Sequence, residues 1–249
     1  YKRQIEYLAY DMYDQAYAEF GNFEFNNNTI EAVNYGMFWE YGFYENAYYM
    51  EDSSYATMGH YQINDNYMNV SSGDGIYFYE WYDVGYEMME DAYFQMGNLE
   101  VCRNEIIATG YGIYWEYFED VAYYMGYDGF TEYPGFTTFI MGDIKFNENV
   151  ITSGNEGIYL DYFEYLAYEM HGAAYAEFGN FEVCNNTINA TDNGIYLYDW
   201  YEWAYYMYDS SHAQFGSVLV NDNDITSFDV GMGYDGIHMY EWYDIGSEM

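Results

Sequence analysis

Positive charge is nearly absent from this chain. Its 249 residues hold 4 Lys and Arg against 43 Asp and Glu, for a formal net charge of -39. A field of that sign repels nucleic acid, anionic lipid surfaces and polyanionic substrates, and makes cations the natural counterions. Proline occurs once, as Pro134, so breaks in structure must come from Asn and the 24 Gly rather than from Pro-rich linkers. No uninterrupted apolar run approaches the roughly 20 residues of a membrane span, so no membrane insertion is expected. Two cysteines supply neither a disulfide framework nor a metal motif. The opening residues Tyr1, Lys2, Arg3 and Gln4 match neither an initiator Met nor a signal peptide, which reads as a processed or partial chain.

What the chain has in abundance is apolar and aromatic surface. It is 51% hydrophobic, with 39 Tyr, 17 Phe and 6 Trp. That is far too much for a solvated acidic tail, so the chain is expected to fold, as a single domain over 1–249.

An internal repeat organises it. A Met or Phe followed by Gly recurs at Phe20-Gly21, Met58-Gly59, Met96-Gly97, Met141-Gly142, Phe178-Gly179 and Phe215-Gly216. These mark rungs starting near 21, 59, 97, 142, 179 and 216. Seven residues after each glycine stands an Asn (Asn28, Asn66, Asn104, Asn149, Asn186, Asn223), and two further on Ile30, Met68, Ile106, Ile151, Ile188 or Ile225. A second block opens at Gly75-Ile76, Gly112-Ile113, Gly157-Ile158, Gly194-Ile195 and Gly236-Ile237. It closes 13 residues later on Met88, Met125, Met170, Met207 and Met249. The first copy, Gly36 to Met50, is one residue longer. The rung with the widest spacing carries extra residues within 126–140, read as a surface loop insertion.

The first block alternates. Leu99 and Val101 flank Glu100, and Phe181 and Val183 flank Glu182, the period-2 pattern of a half-buried strand. Asn then turns the chain, because it tolerates left-handed backbone angles and can bond its own backbone. The text Asp199 to Met207 is ambiguous. Trp200, Trp203, Ala204 and Met207 fit helical spacing, yet a helix in every copy conflicts with rungs stacked about 4.8 Å apart, so strand is favoured. One rung cannot bury its own apolar face, and copies must stack. The expected fold class is all-β: a parallel β-helix or β-solenoid of stacked wide β-arches, about six rungs of 37–38 residues, each with four strand segments.

These features resemble the right-handed parallel β-helix proteins, which include pectate-lyase-like enzymes and many archaeal and bacterial surface repeat proteins. The resemblance rests on Asn186-Thr187-Ile188 and Asn149-Val150-Ile151 followed by Gly-Ile-Tyr. It implies an Asn ladder along one turn. The rungs are longer than the family's low twenties. Wide, acidic, aromatic rungs look most like the amyloid-like sheath proteins of filamentous methanogenic archaea.

Aligning rungs makes neighbours explicit. One column reads Glu24, Gln62, Glu100, Lys145, Glu182, Leu219, and another Asn27, Asp65, Arg103, Glu148, Asn185, Asp222. Lys145 and Arg103 therefore sit between acids of adjacent rungs and are expected to pair across strands. Cys102 and Cys184 share a column two rungs apart, about 10 Å, too far for an intramolecular disulfide. They are expected to be buried free thiols, with bridges between subunits as the other possibility. The four histidines, His60, His171, His212 and His238, occupy different phases and cannot form one zinc or catalytic cluster. Trp81, Phe118, Phe163, Trp200 and Trp242 align, as do Tyr48, Tyr86, Tyr123, Tyr168 and Tyr205 beside the small column Ala47, Gly85, Ala122, Ala167 and Ala204.

Carboxylate pairs recur: Glu80 and Asp83, Glu116 and Glu119, Asp161 and Glu164, Asp199 and Glu202, Glu241 and Asp244. A glycosidase needs one distinguished pair, and here almost every rung has one, so no enzyme activity and no catalytic, cofactor or metal residues are assigned. Nonspecific or inter-rung Ca2+ or Mg2+ is compatible with so many oxygen ligands. Asn27, Asn69, Asn185 and Asn189 lie in Asn-x-Ser/Thr sequons. No polar cap covers either terminal rung, leaving open edges that suit self-association. The expected function is a structural subunit of an extracellular polymer at the cell surface, a sheath, tube or filament with itself as partner. The alternatives are a β-helix carbohydrate-binding or polysaccharide-cleaving protein and a monomeric cation-binding module.

Overall fold

The computed structural model describes residues 9–126, 135–228 and 235–245. Among them every regular element is a strand, and all pairing is parallel. Each rung gives one strand to each of four six-stranded sheets. The first sheet runs from Tyr17–Phe20 to His212–Phe215 and the second from Phe23–Glu24 to Val218–Asn221. The third runs from Thr29–Ala32 to Asp224–Ser227, and the fourth and widest from Tyr35–Tyr44 to Ile237–Ile245. Within the third rung the four strands are Tyr93–Met96, Leu99–Cys102, Glu105–Ala108 and Ile113–Val121. The chain is a β-solenoid of about six turns.

Rungs stack in the register read from the repeat. Leu99, Glu100 and Val101 lie beside Ile144, Lys145 and Phe146 on one side and Tyr61, Gln62 and Ile63 on the other. The first copy's extra residue is absorbed as an irregularity between Glu40 and Phe43, where the ladder slips against Tyr79 and Trp81. The insertion expected within 126–140 falls mostly on 127–134, outside the described residues, as do Ile5 to Leu8, Pro134 and Met249.

The fourth sheet explains the helix-like spacing. In Ile113–Val121 the inward residues are Ile113, Trp115, Phe118 and Val121, a step of two and then two steps of three. Tyr117 and Asp120 have φ of 62° and 54°. Each left-handed residue breaks the pleat, so two side chains in succession face outward before the next turns in. The same device at Asp199 and Glu202 separates the buried Trp200 and Trp203. Three-residue spacing is thus strand text with left-handed kinks.

The Asn turn differs from expectation in one respect. The left-handed residue is the one before the ladder Asn: Asn27, Asp65, Arg103, Glu148, Asn185 and Asp222, with φ from 55° to 60°. The Asn that follows each keeps negative φ. Its task is bonding to the neighbouring rung rather than to its own turn.

Glycine at the head of the fourth strand is set by space. A Cβ on Gly112 would collide with the Ile151 side chain and the Gly157 carbonyl of the next rung. The Asn-x-Ile text and the Gly-Ile text are therefore two sides of one contact. Inside, Trp81, Trp115, Phe118, Phe163 and Trp200 are almost wholly buried, each contributing about 1.5 to 3 kcal/mol of transfer free energy or more. The Trp81 to Trp242 column is in register, with Phe163 stacked on Trp200 at 4.8 Å and Trp200 on Trp242 at 4.7 Å. Tyr48, Tyr86, Tyr123, Tyr168 and Tyr205 form a continuous stack, with centroids 4.9 to 5.7 Å apart and planes within 14°. Tyr10 extends it at 5.3 Å.

Candidate assembly faces and carboxyl columns

Three polar ladders run along the solenoid axis. In the first, the N–H and Nδ2 of each Asn donate to Oδ1 of the next, from Asn28 through Asn66, Asn104, Asn149 and Asn186 to Asn223, at 2.9 to 3.1 Å. From Asn66 onward each amide also donates back to the preceding rung, as in Asn66 Nδ2 to Phe25 O, Asn149 Nδ2 to Val101 O and Asn223 Nδ2 to Val183 O, whereas Asn28 Nδ2 donates to Asn26 O of its own rung. Asn66, Asn104, Asn149 and Asn186 are buried, and these bonds are what makes that burial tolerable.

The second ladder has the opposite sense. Asn22, His60, Asn98, Asp143, Asn180 and Ser217 follow the six Met/Phe-Gly pairs, and each of the first five accepts from the backbone N–H of its successor. His60 takes part through Nδ1, which accepts from Asn98 N–H at 3.0 Å. The third is intermittent: Asn26, Asn64 and Asn147 accept from the N–H of Asn64, Cys102 and Cys184. The second ladder was missed in the sequence, although a short polar side chain after every Met/Phe-Gly pair was its visible signal.

The ladders end open. Among the described residues nothing donates to Asn28 Oδ1, and the Asn223 N–H has no acceptor. In the inner rungs Ile113 and Trp115 are 0% exposed, whereas their equivalents in the last rung, Ile237 and Met239, are 43% and 48% exposed. Beneath the first rung lies a hollow of about 300 Å³ lined by Phe23, Phe25, Asn28, Met37 and Trp39.

The recurring carboxylate pairs do not share one register. Glu116 and Asp161 lie in a column with Tyr79 and Tyr198, while Glu80 and Asp199 fall in the adjoining left-handed column with Tyr117 and Tyr162. Acid and tyrosine trade places from rung to rung, so carboxyls and phenols interleave. Tyr77 donates to Glu116, and Tyr159 donates to Asp161 at 2.9 Å. Asp161 and Glu164 are 5% exposed, and the Asp161 Oδ1 and Glu164 Oε2 atoms have no hydrogen-bond partner among the described residues.

Burial of these groups, followed by repulsion from neighbouring acids, pushes Asp83, Glu119, Asp120, Asp161 and Glu164 up to about 7. Burial and a bond to Glu241 raise Asp199 to about 6. Several acids on this face therefore hold protons near neutral pH, and the folded charge is smaller in magnitude than the formal -39. Among the described residues no three His, Cys, Asp or Glu converge as a metal site.

The basic residues divide. Arg103 bridges to Asp65 in the adjacent rung, with Nε and Nη2 donating to the two carboxylate oxygens at 2.9 and 3.0 Å. Lys145 does not bond the glutamates above and below it but Asp143, two residues earlier, at 2.9 Å. Those glutamates already accept from amides, Glu100 from Gln62 and Glu182 from Asn147. Cys102 and Cys184 are free and buried, and burial pushes the Cys102 thiol up to about 11. His171 stacks on Tyr208 and His212 on Tyr175, while His238 bonds Asp235, so the histidines remain apart. Asn27, Asn69, Asn185 and Asn189 are all exposed.

Compared with known proteins, the chain matches no family model, no curated protein and no solved structure.

Proposed function

We propose that this chain is a structural subunit of an extracellular polymer, a sheath, tube or filament built by stacking β-rungs of successive copies. The observation that carries the reading is the exposure of the apolar columns on the first and last described rungs. The apolar columns that are sealed inside the stack lie open on the last rung at Ile237 and Met239, and on the first rung around its hollow. Soluble proteins normally shield such edges, and another rung of the same kind covers them best. The likeness to the sheath proteins of filamentous methanogenic archaea belongs to this proposal, on the strength of wide, acidic, tyrosine-rich rungs. So does the cell-surface location.

The carboxyl columns are partly buried between tyrosines, while the remaining acids face the medium. Cations of the medium neutralise the exposed acids diffusely, and no catalysis is assigned to the pairs, because they recur in almost every rung instead of forming one distinguished pair. Fibre diffraction and electron microscopy of the concentrated protein test the proposal. Ordered polymer with an axial repeat near 4.8 Å is expected. A monodisperse monomer that cleaves or binds polysaccharide would overturn it.

A further inference from the structure

The Gly-Ile-Tyr text sets a tyrosine at the same outward position of the fourth sheet in successive rungs. Tyr77, Tyr114, Tyr159 and Tyr196 lie there in register and half-buried. Their rings stack with centroids 4.8, 5.0 and 5.0 Å apart and planes within 9°. Two of the hydroxyls are tied to acids. Tyr77 donates to Glu116 of the next rung, and Tyr159 donates to Asp161 of its own at 2.9 Å. We infer that this column is a one-electron redox site, in which Tyr77 with Glu116 and Tyr159 with Asp161 are two proton-coupled units that exchange an oxidising equivalent through the ring of Tyr114.

A phenol gives up an electron readily only if its proton leaves with it, since the neutral phenol is a weak acid and its one-electron oxidised form a very strong one. Burial pushes the hydroxyls of Tyr77, Tyr114 and Tyr159 well above the usual tyrosine range, which closes off prior loss of the proton to water. An acid held at the hydroxyl supplies the base. An outer-sphere one-electron oxidant from the medium takes one electron from Tyr159 and is itself reduced. The phenolic proton moves along the existing hydrogen bond to the Asp161 carboxylate, leaving a neutral phenoxyl radical beside a neutral carboxyl. Asp161, which burial raises to about 7, takes that proton more readily than an exposed carboxylate does. In the exchange, Tyr77 gives an electron to the Tyr159 radical and its proton to Glu116, while Asp161 returns its proton to Tyr159. Each proton stays within its own hydrogen bond, and only the electron travels, across two ring contacts with Tyr114 between.

Other aromatic columns are less complete. The buried indoles of Trp115 and Trp200 have no acceptor for their N–H among the described residues, so an oxidised indole there cannot hand its proton on. On the first sheet Tyr17 donates to Glu19 and Tyr175 to Glu177, both at 2.8 Å, but Thr138 stands between Tyr93 and Tyr175 and interrupts the column. In the longer stack Tyr48 is one phenol away from its acid: it donates to Tyr49, and Tyr49 donates to Glu87.

Freeze-quenched electron paramagnetic resonance of the full chain tests the site at about pH 8, where a carboxyl raised to about 7 is ionised. The oxidant is photogenerated ruthenium(III) tris-bipyridine, added below one equivalent per chain, and the readout is the yield of phenoxyl radical. Two double variants carry the test: Tyr77→Phe with Tyr159→Phe, and Glu116→Gln with Asp161→Asn. Circular dichroism and melting verify that each folds. Both are expected to lower the yield several-fold, although the second keeps every tyrosine. Tyr77→Phe or Tyr159→Phe alone is expected to keep most of it, because the remaining unit holds the shared oxidising equivalent. Tyr17→Phe with Tyr175→Phe is expected to leave it unchanged. A column that only stabilises the fold would alter melting and not radical yield. A yield untouched by the double variants, or lowered as much by the first-sheet pair, would overturn the site. Single losses that add up to the double loss would overturn the exchange through Tyr114. Should the acid variant not fold, radical formation by the unaltered chain in heavy water takes its place: slowing is expected, and an unchanged rate would overturn the proton-coupled step.

Discussion

Oδ1 of Asn149 accepts two hydrogen bonds from Asn104, one from the backbone N–H at 3.0 Å and one from Nδ2 at 3.1 Å, although the two residues are 45 apart in sequence. Both side chains are buried, and Asn149 Nδ2 also holds the Val101 carbonyl of the rung below at 2.8 Å. Asn149→Ala strands two donors and one acceptor, at about 1 to 3 kcal/mol for each buried group. A loss of roughly 2 to 5 kcal/mol is expected in chemical denaturation. Asn28→Ala, at the open end of the same ladder, is expected to cost under about 1 kcal/mol in the isolated chain. Equal losses would show that the ladder does not act rung by rung.

Glycine at the head of the fourth strand is expected to be irreplaceable in the interior. Gly112→Ala forces a methyl group against Ile151 and the Gly157 carbonyl, and overpacking of this kind costs about 1 to 3 kcal/mol. At Gly21 an added Cβ meets nothing within 4 Å, so Gly21→Ala should stay within about 0.5 kcal/mol of the parent. Melting temperatures of the two variants check the contrast.

Acid is expected to stabilise this fold. Asp83, Glu119, Asp120, Asp161 and Glu164 take up protons at about pH 7 in the fold, whereas unfolded carboxyls do so near pH 4. Between those values the folded chain binds more protons than the unfolded one, so stability falls as pH rises. The contribution is complete below about pH 4 and is lost as pH rises through about 7. Each such group steepens the slope by at most about 1.4 kcal/mol per pH unit. Asp65, held low by the hydrogen bond from Arg103, acts in the opposite sense but is outnumbered. Thermal melts from pH 4 to 8 should show a falling melting temperature, and a flat or rising profile would contradict the buried carboxyl columns.

The Arg103 to Asp65 bridge should matter little for stability. Both side chains are close to half exposed, and ion pairs of that kind contribute from nothing to about 1 kcal/mol. Arg103→Gln is expected to shift stability by less than about 1 kcal/mol, with the difference shrinking at high salt. Denaturation at low and high ionic strength measures both effects.

Much of the architecture was legible because parallel, in-register stacking turns sequence period into physical contact. Residues one repeat apart become neighbours, so aligning the rungs yielded the Asn column, whose ladder the family resemblance implied, the tyrosine stack from Tyr48 to Tyr205 and the seat of Arg103 beside Asp65. The extra residue of the first copy also showed itself, as the slip between Glu40 and Phe43. The carboxyl pairs misled, because Glu116 with Glu119 and Asp199 with Glu202 have the same spacing but lie in different columns. Their displacement follows the swap from Glu116-Tyr117 to Tyr198-Asp199, which a three-residue spacing does not register.

The amino-acid order was sufficient for the repeat, its register and the residues that stack, since all three are statements about which phase follows which. Direction and backbone angle came from the folded chain. Left-handed residues at Tyr117 and Asp120 convert an apparently helical spacing into a kinked strand, and Lys145 turns to Asp143 because amides already occupy its neighbouring glutamates. The opposed senses of the Asn28 and Asn22 ladders likewise depend on where each N–H points. A one-dimensional period carries no information about that direction; the geometry of the hydrogen bonds does.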